Sequence, residues 1–260
     1  MTDSFSFSFG TTLRLSREVT DHFFALRCAP PEFPGQKIYN MEITIGPGAR
    51  WTMQRDGFGN LVQTGCITRP HSLLYYAVSG LAEINPELSA PEEANPVFRF
   101  QSKCTAADEK IRDILCAGLP AAADEAANEI MNRVYNSMSY VPGSTDILTT
   151  ASEAFSRGSG VCQDYAHVFL SAARSAGLCA RYANGFRRDG TTTHAWCEVW
   201  LDGVWRGLDP TNNTPVNGEY VRLNTGRDFA DCPIEKGVFH GFATQEQTIS
   251  LHCSRPEENL

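Results

Sequence analysis

The sequence predicts an α+β protein in which a β-rich N-terminal region precedes a mixed region of helices and antiparallel strands. Up to about residue 100, short apolar segments alternate with turns rich in proline and glycine, a pattern typical of a β-sandwich. From residue 105 onward helical periodicity appears, and strands joined by a two-residue turn follow it. We therefore predict a sandwich-like domain over residues 1–100 and a second domain over residues 101–260.

The N-terminal strands are predicted from alternation and punctuation. Residues 4–9 alternate serine and phenylalanine, which is the period of two expected of a half-buried strand. Further strands are predicted at residues 11–15, 23–27, 37–45, 51–54, 60–67 and 73–78. The proline- and glutamate-rich segment 84–96 is predicted to link the two domains.

The second half is predicted to carry four helices and then a group of strands. Helical patterns cover residues 105–117, 121–137, 150–157 and 162–177, and the third begins with the capping-box pair Thr150 and Glu153. Strands follow at residues 180–186, 193–201 and 204–209, with a last one at 248–252. The dipeptide Asp202-Gly203 is a strong signal for a tight hairpin turn between two of them.

Composition and charge exclude several classes of function. The formal net charge is −8 and lysine and arginine form no cluster, so we expect no nucleic-acid partner. The sequence shows no basic leader and no apolar run of the length that spans a bilayer, so we expect no membrane partner. Nine scattered cysteines without paired spacing predict reduced thiols, a cytoplasmic location and no metal site.

Cys162 is the strongest candidate for a reactive residue. It follows a glycine-rich turn and opens a helix, where free N–H groups and the helix dipole stabilise negative charge. Such a setting can lower the pKa of a thiol from about 8.5 to about 3.5–7.5. The alternative is a buried structural thiol, which packs as a small hydrophobic group.

The predicted hairpin supplies partners for this thiol. If Asp202-Gly203 is the turn, Asp209 lies opposite Trp196, so His194 and Asp209 are diagonal neighbours on one face of the sheet. A carboxylate in that position can orient one imidazole nitrogen and leave the other for the thiol. The arrangement predicts a nucleophile, a base and an orienting acid.

Three sequence blocks resemble the motifs of the transglutaminase-like, papain-like superfamily: residues 160–167 around Cys162, residues 194–196 and residues 208–211. The wider pattern resembles its bacterial branch, in which a β-rich N-terminal region precedes a papain-like core whose nucleophile helix packs on an antiparallel sheet. The resemblance implies that Cys162 is the nucleophile, His194 the general base and later acid, and Asp209 the orienting residue. It implies no metal and no organic cofactor.

The resemblance also implies attack on an amide or acyl carbonyl of a peptide, protein or small amide, through a thioester. Hydrolysis is expected over calcium-dependent crosslinking, because no acidic cluster resembles the calcium sites of animal transglutaminases. The backbone N–H of Cys162 is the expected oxyanion donor, with Tyr140, Gln163 and Trp196 as further oxyanion or substrate candidates. Two alternatives remain open: an amide-forming acyltransferase, and a binding module that has lost its activity.

Overall fold

A computed structural model describes residues 2–88 and 91–254 of the chain. Residue 1 of the predicted N-terminal domain, residues 89 and 90 of the predicted linker and residues 255–260 of the predicted second domain lie outside the described residues. The described residues contain four α-helices, α1 (Glu109–Leu115), α2 (Ala123–Ser137), α3 (Ala151–Arg157) and α4 (Cys162–Ser175). None of the helices that the structure describes combines the length and the apolar character that crossing a bilayer requires.

Within the part of the chain that the structure describes, the strands form three sheets. The N-terminal strands are β1 (Asp3–Leu26), β2 (Gln36–Gly46), β3 (Arg50–Arg55), β4 (Leu61–Ile67) and β5 (His71–Ile84). The central ones are β6 (Ser139–Tyr140), β7 (Ser159–Gly160), β8 (Ala180–Arg187), β9 (Thr193–Leu201), β10 (Val204–Asp209), β11 (Thr214–Pro215) and β12 (Tyr220–Gly226). The last two are β13 (Glu235–His240) and β14 (Gln245–Ser254). Mixed helical and antiparallel β-structure confirms the predicted α+β class.

The N-terminal sheet is built around β1, which is a single strand of 24 residues. Its first half pairs with β5 and β14, and its second half pairs with β4 and β13. The sequence predicted three short strands in this range. They are continuous because no turn-forming dipeptide interrupts them; register shifts after Arg14 and Thr20 bend the strand instead of ending it.

The alternating phenylalanines of β1 form the N-terminal core. Phe5, Phe7 and Phe9 are buried, as the period of two predicted. Two of these rings, Phe7 and Phe9, contact Phe186 of β8 with centroid distances of 5.4 and 6.4 Å. The N-terminal sheet therefore packs directly on the central five-stranded sheet.

Two buried amides join the halves at the edge of β12. The Gln36 side chain donates to the carbonyl of Arg222 at 2.9 Å and accepts from its N–H at 2.8 Å. Asn60 makes the same two-way exchange with Thr225, at 2.8 Å in each direction. These contacts satisfy backbone groups that an edge strand would otherwise expose.

The central sheet has the order β11-β10-β9-β8-β12, and α4 packs against one face of it. Strands β13 and β14, which come late in the chain, belong to the N-terminal sheet through their pairing with β1. The division of the chain at residue 100 stays a prediction.

Candidate active site

The first turn of α4 is fixed by a buried carboxylate. Oδ2 of Asp164 accepts from the backbone N–H of Val161 at 2.7 Å and from the hydroxyl of Thr145 at 2.6 Å. These bonds hold the residue before Cys162 and stabilise the start of the helix. Burial raises the pKa of Asp164, and the hydrogen bonds from Thr145 and Val161 oppose that rise.

The glycine-rich turn before Cys162 has two steric reasons. Gly158 ends α3 with φ of 69°, in the left-handed region that favours glycine. At Gly160, an added Cβ would lie 2.6 Å from Cβ of Asp164, closer than carbon atoms pack. Both glycines therefore let the chain turn tightly into the helix that presents Cys162.

His194 and Asp209 meet on one face of the central sheet, as the hairpin predicted. Strands β9 and β10 pair in the register set by the Asp202-Gly203 turn, ending with Leu208 opposite Cys197. Nε2 of His194 and Oδ2 of Asp209 are 2.7 Å apart. The carboxylate is fully buried, whereas the imidazole keeps a small exposed edge.

Asp209 receives more hydrogen bonds than the imidazole alone provides. Its Oδ2 also accepts from the side-chain amide of Asn212 at 2.6 Å and from the hydroxyl of Tyr220 at 2.7 Å. Its Oδ1 accepts from the backbone N–H of Thr211 at 3.0 Å. Burial alone would raise the pKa of Asp209, but the hydrogen bond from His194 and these further donors lower it below the usual value. The carboxylate is thus held ionised in a buried position.

The third member, Cys162, lies near enough to the His194 ring to influence its pKa. Because Nε2 faces Asp209, the nitrogen left for the thiol is Nδ1. Burial acts to lower the pKa of His194, but the hydrogen bonds with Asp209 and Cys162 outweigh it and raise that pKa to about 9. The imidazole is therefore protonated at neutral pH.

Two aromatic rings support the imidazole from behind. Trp196 stacks on His194 with a centroid distance of 6.4 Å and an interplanar angle of 24°. Tyr220 packs against Trp196 edge to face at 5.4 Å. Trp196 is 1% exposed, so its place is behind the ring. Its predicted role as a substrate contact stays a prediction.

The two other secondary candidates lie beside the thiol. Tyr140 is brought there by the short parallel pairing of β6 with β7, extended by the N–H of Val141 donating to Gly160 at 2.9 Å. Burial, followed by the charge of Cys162, raises the pKa of Tyr140. Gln163 is half-buried in the first turn of α4, and its side chain bonds no described residue. Their roles as oxyanion donors stay predictions.

Two residues of the site, Asn212 and Tyr220, were not predicted from sequence as parts of it; both bond Asp209. For Asp164 the sequence left open whether it orients the start of the helix or contacts the substrate, and the structure shows it holding the turn before the nucleophile. The spacing of Asp209 and Asn212 is compatible with a local turn and could have indicated Asn212. Nothing local marks Tyr220, which reaches the site from β12 at the far edge of the sheet.

His167 lies on α4 but takes no part in this group. It is fully buried, and its Nε2 accepts from the backbone N–H of Phe229 at 3.2 Å. Burial lowers its pKa to about 4, so the ring is neutral near pH 7. Its hydrogen bond holds the turn that begins at Phe229. In residues 2–88 and 91–254, no group of three or more His, Cys, Asp or Glu side chains is arranged to hold a metal ion.

Comparison with family models gives two matches along the chain. Residues 112–210 match the model of the transglutaminase-like superfamily. Residues 5–83 match the model of the bacterial transglutaminase-like N-terminal region. The first match spans all three residues of the candidate site, and the second covers most of the N-terminal sheet.

Similar proteins agree with these matches. The uncharacterized protein Rv2569c of Mycobacterium tuberculosis is 30% identical over 268 residues, covering 88% of this chain and 85% of that protein. The uncharacterized protein ML0607 of Mycobacterium leprae is 31% identical over 128 residues, covering 45% of this chain and 46% of that protein. A solved structure from Cytophaga hutchinsonii, named "Putative Cysteine Protease", has a TM-score of 0.80 at 18% identity and covers 100% of this chain and 94% of its own. That likeness shows the shared fold.

Proposed function

The chain belongs to the transglutaminase-like superfamily and carries its bacterial N-terminal region, and from this premise we propose that it is a cysteine-dependent acyl-transfer enzyme. Its substrate is proposed to be an amide of a peptide, a protein or a small molecule. Cys162 is the proposed nucleophile, His194 the acid and base, and Asp209 the residue that orients the imidazole.

The observation that carries this proposal is the placement of His194 between a thiol and a buried carboxylate. The 2.7 Å contact with Asp209 fixes the ring, and Cys162 at the start of α4 lies near enough to raise the pKa of the ring. The raised pKa, about 9, keeps a proton on the ring at neutral pH, which is what pairing with a thiolate requires. A histidine with a purely structural role would need neither a thiol nor a buried carboxylate beside it.

The proposed reaction has two displacements. Sγ of Cys162 attacks the carbonyl carbon, the tetrahedral oxyanion forms, and the C–N bond breaks as His194 gives its proton to the leaving amine. The product is a thioester on Cys162. Water then attacks the thioester while His194 takes a proton from it, and the C–S bond breaks to release the acid and restore the Cys162 thiolate beside the protonated imidazole.

The oxyanion is proposed to lie between the backbone N–H of Cys162 and the hydroxyl of Tyr140. The N–H is free at the helix start, and the helix dipole adds to its positive character. Tyr140 is 54% exposed as a residue, and the charge of Cys162 influences its pKa, so it is placed to meet an incoming carbonyl near the thiol. Donors placed in advance for this charge are a large contribution to catalysis of acyl transfer.

Hydrolysis is the proposed outcome, and the products test it. A peptide library is incubated with the protein, with and without a primary amine, and analysed by mass spectrometry. Cleaved products that gain water support a peptidase or amidase. Amine adducts formed in preference to hydrolysis would instead identify a transamidase. Finding neither, with Cys162 intact and accessible, would favour a binding module.

Replacing His194 by alanine is expected to slow alkylation of Cys162 by iodoacetamide at pH 7 by about tenfold or more, because the protonated ring beside the thiol is lost. The rate is measured by mass spectrometry of the peptide that contains Cys162. Competing thiols are few, since the pKa values of seven cysteines are raised: Cys28, Cys104, Cys116, Cys179, Cys197, Cys232 and Cys253.

The alkylation experiment is best done in a Cys66→Ala background, which removes Cys66, a half-buried thiol outside that set of seven. His252→Ala is the matched control, because it removes an imidazole from β14, which pairs in the N-terminal sheet. Equal alkylation rates in the background protein and in the His194→Ala variant would refute the activated thiol.

The pH profile of amide hydrolysis is expected to fall above about pH 9. The pKa of His194 is raised from 6.5 to about 9, so the proton needed by the leaving amine is present below that pH and lost above it. Values of kcat/KM measured from pH 5 to 10.5 locate this limb. A basic limb near pH 6.5 would show that the bond with Asp209 does not raise the pKa of His194.

We also propose a reducing compartment, the cytoplasm, as the site of action. All nine cysteines are free, and oxidising compartments favour their pairing in disulfides. Fractionation of cells that produce a tagged chain tests this proposal, and recovery with exported proteins would contradict it.

A further inference from the structure

A cavity of about 760 Å³ lies on the face of the central sheet that looks away from α4. Alternation along β9 directs Cys197 towards the helix and Trp196 and Glu198 towards the cavity. Residues of the N-terminal half, among them Phe33 and Gln36, close the other side. The volume is that of pockets which hold small molecules, and neither Cys162 nor His194 lines it.

A buried ion network forms one wall of this cavity. Glu198 accepts from Nε of Arg181 at 2.7 Å and from Nη1 of Arg222 at 3.0 Å. Burial works against the charge of Glu198, but the two arginines outweigh it and lower its pKa to about 2. Two cations thus share one buried anion, and the second acid, Glu92, pairs with Arg181 only from the rim.

Some N–H groups of the two arginines in this network bond no described residue. Nη2 of Arg181 and Nη2 of Arg222 make no hydrogen bond to the described residues, and Nε of Arg222 is buried without a partner among them. The nearest further acid is Glu92 at the rim, whose carboxylate is 3.7 Å from Nη1 of Arg181 and whose side chain is 56% exposed. A separation of 3.7 Å is longer than a hydrogen bond, and a ligand can displace the carboxylate of an exposed glutamate.

Aromatic rings hold both guanidinium groups in position. Arg181 lies over the ring of Trp205 at 3.9 Å, and Arg222 lies over the ring of Phe33 at 3.7 Å. A stacked guanidinium keeps its edge N–H groups free in a fixed plane, which suits the two oxygens of a carboxylate. The donors are therefore arranged before any ligand arrives.

We propose that this cavity binds a small organic carboxylate with an apolar body, at a site separate from the thiol. The carboxylate accepts from the free edges of Arg181 and Arg222. The apolar body packs against the aromatic and aliphatic wall formed by Trp196, Tyr220 and Val216. A single negative charge fits better than a phosphate dianion, because acidic residues surround the opening: Glu92, Asp124 and Asp202.

The site adjoins the proposed catalytic residues through one side chain. Tyr220 lines the cavity and donates its hydroxyl hydrogen bond to Asp209. A ligand in the cavity would therefore contact a residue that holds the orienting carboxylate. The proposal goes beyond the acyl-transfer function and does not depend on it.

Equilibrium dialysis of radiolabelled phenylacetate against the Cys162→Ala protein tests the site, since no thiol chemistry can then contribute. We expect saturable binding of one molecule per chain. Neutral phenylacetamide and inorganic phosphate should each bind roughly tenfold more weakly or worse, as the loss of a charge-assisted contact predicts. Absence of saturable binding, or equal affinity for phenylacetamide or phosphate, would overturn the proposal.

Two variants locate the binding. Arg222→Gln is expected to weaken phenylacetate binding by about tenfold or more, whereas Arg206→Gln, which changes an exposed arginine of the same lining, should not. Val216→Phe fills the apolar part of the cavity and leaves the ion network intact, so it should also abolish phenylacetate binding. If Arg222→Gln does not fold, this second variant tests whether phenylacetate binds in the cavity. Binding that survives Val216→Phe, or that survives Arg222→Gln in a folded protein, would contradict this location.

Discussion

Replacing Cys162 by alanine is expected to reduce turnover of the amide identified in the product screen by a factor on the order of 10⁴ or more. No other thiol is expected to take its place, because Cys162 is the cysteine whose proximity raises the pKa of His194. The fold should survive, since Cys162 is only half-buried and alanine has the highest helix propensity. Mass spectrometry of the products measures turnover, and thermal unfolding followed by circular dichroism measures stability.

The matched control for this experiment is Cys66→Ala, which changes a half-buried thiol on β4 of the N-terminal sheet. That variant should keep full activity. If Cys162→Ala retained turnover with an unchanged melting temperature, acyl transfer would not pass through this thiol. The circular dichroism spectrum shows whether a variant without activity is still folded, and so separates loss of the nucleophile from loss of the fold.

The part of the site most accurately predicted from sequence is the part fixed by local geometry. Strands β9 and β10 begin and end where alternation and the Asp202-Gly203 turn predicted. A two-residue turn sets the register, and the register decides which side chains share a face. The proximity of His194 and Asp209 therefore follows from about sixteen consecutive residues, with no knowledge of the remaining fold.

Contacts between distant parts of the chain were beyond the same reasoning. Ser6 pairs with Ser254 across a separation of 248 residues, and no local pattern identifies such a partner. A strand was predicted at residues 248–252, but alternation alone does not show which sheet it joins. The same limit explains Tyr220, which bonds Asp209 from a strand three positions away in the sheet order.

The turn before Cys162 could be predicted from the sequence only in part. The helix start at Cys162 is a local signal and was predicted. The reason that the turn is stable is Asp164, whose carboxylate bonds Val161 next to it and Thr145 from another loop. A residue two positions after the nucleophile thus has a structural role that the sequence left undecided between orienting the helix and contacting the substrate.

Asp209→Asn is expected to lower kcat by about 10³–10⁴ while leaving the backbone in place. Three donors converge on Oδ2 of Asp209, from His194, Asn212 and Tyr220. An asparagine can offer an oxygen to this group, but its amide then lies where Oδ1 accepts from the backbone N–H of Thr211. Either orientation leaves a donor facing a donor, in a place where no water competes.

The negative charge of Asp209 matters as well as its geometry, and its effect on the pKa of His194 can be measured. Burial is the largest influence on the pKa of His194 and acts to lower it, so removing the carboxylate's charge should bring that pKa down from about 9. The imidazole is titrated by NMR in the Cys162→Ala background, with and without Asp209→Asn, and the two pKa values are compared. Because Cys162 also raises the pKa of His194, the background value itself is expected below 9. Equal pKa values in the two proteins would show that Asp209 does not stabilise the imidazolium.

Asp202→Asn is the control that separates this effect from a general loss of carboxylate. Asp202 is exposed in the turn of the same hairpin with φ of 50°, a conformation that asparagine also adopts. Its replacement removes the same charge from the same hairpin and should change neither kcat nor the pKa of His194. A loss confined to Asp209→Asn then identifies the buried carboxylate, and not the hairpin, as the group that holds the proton on His194.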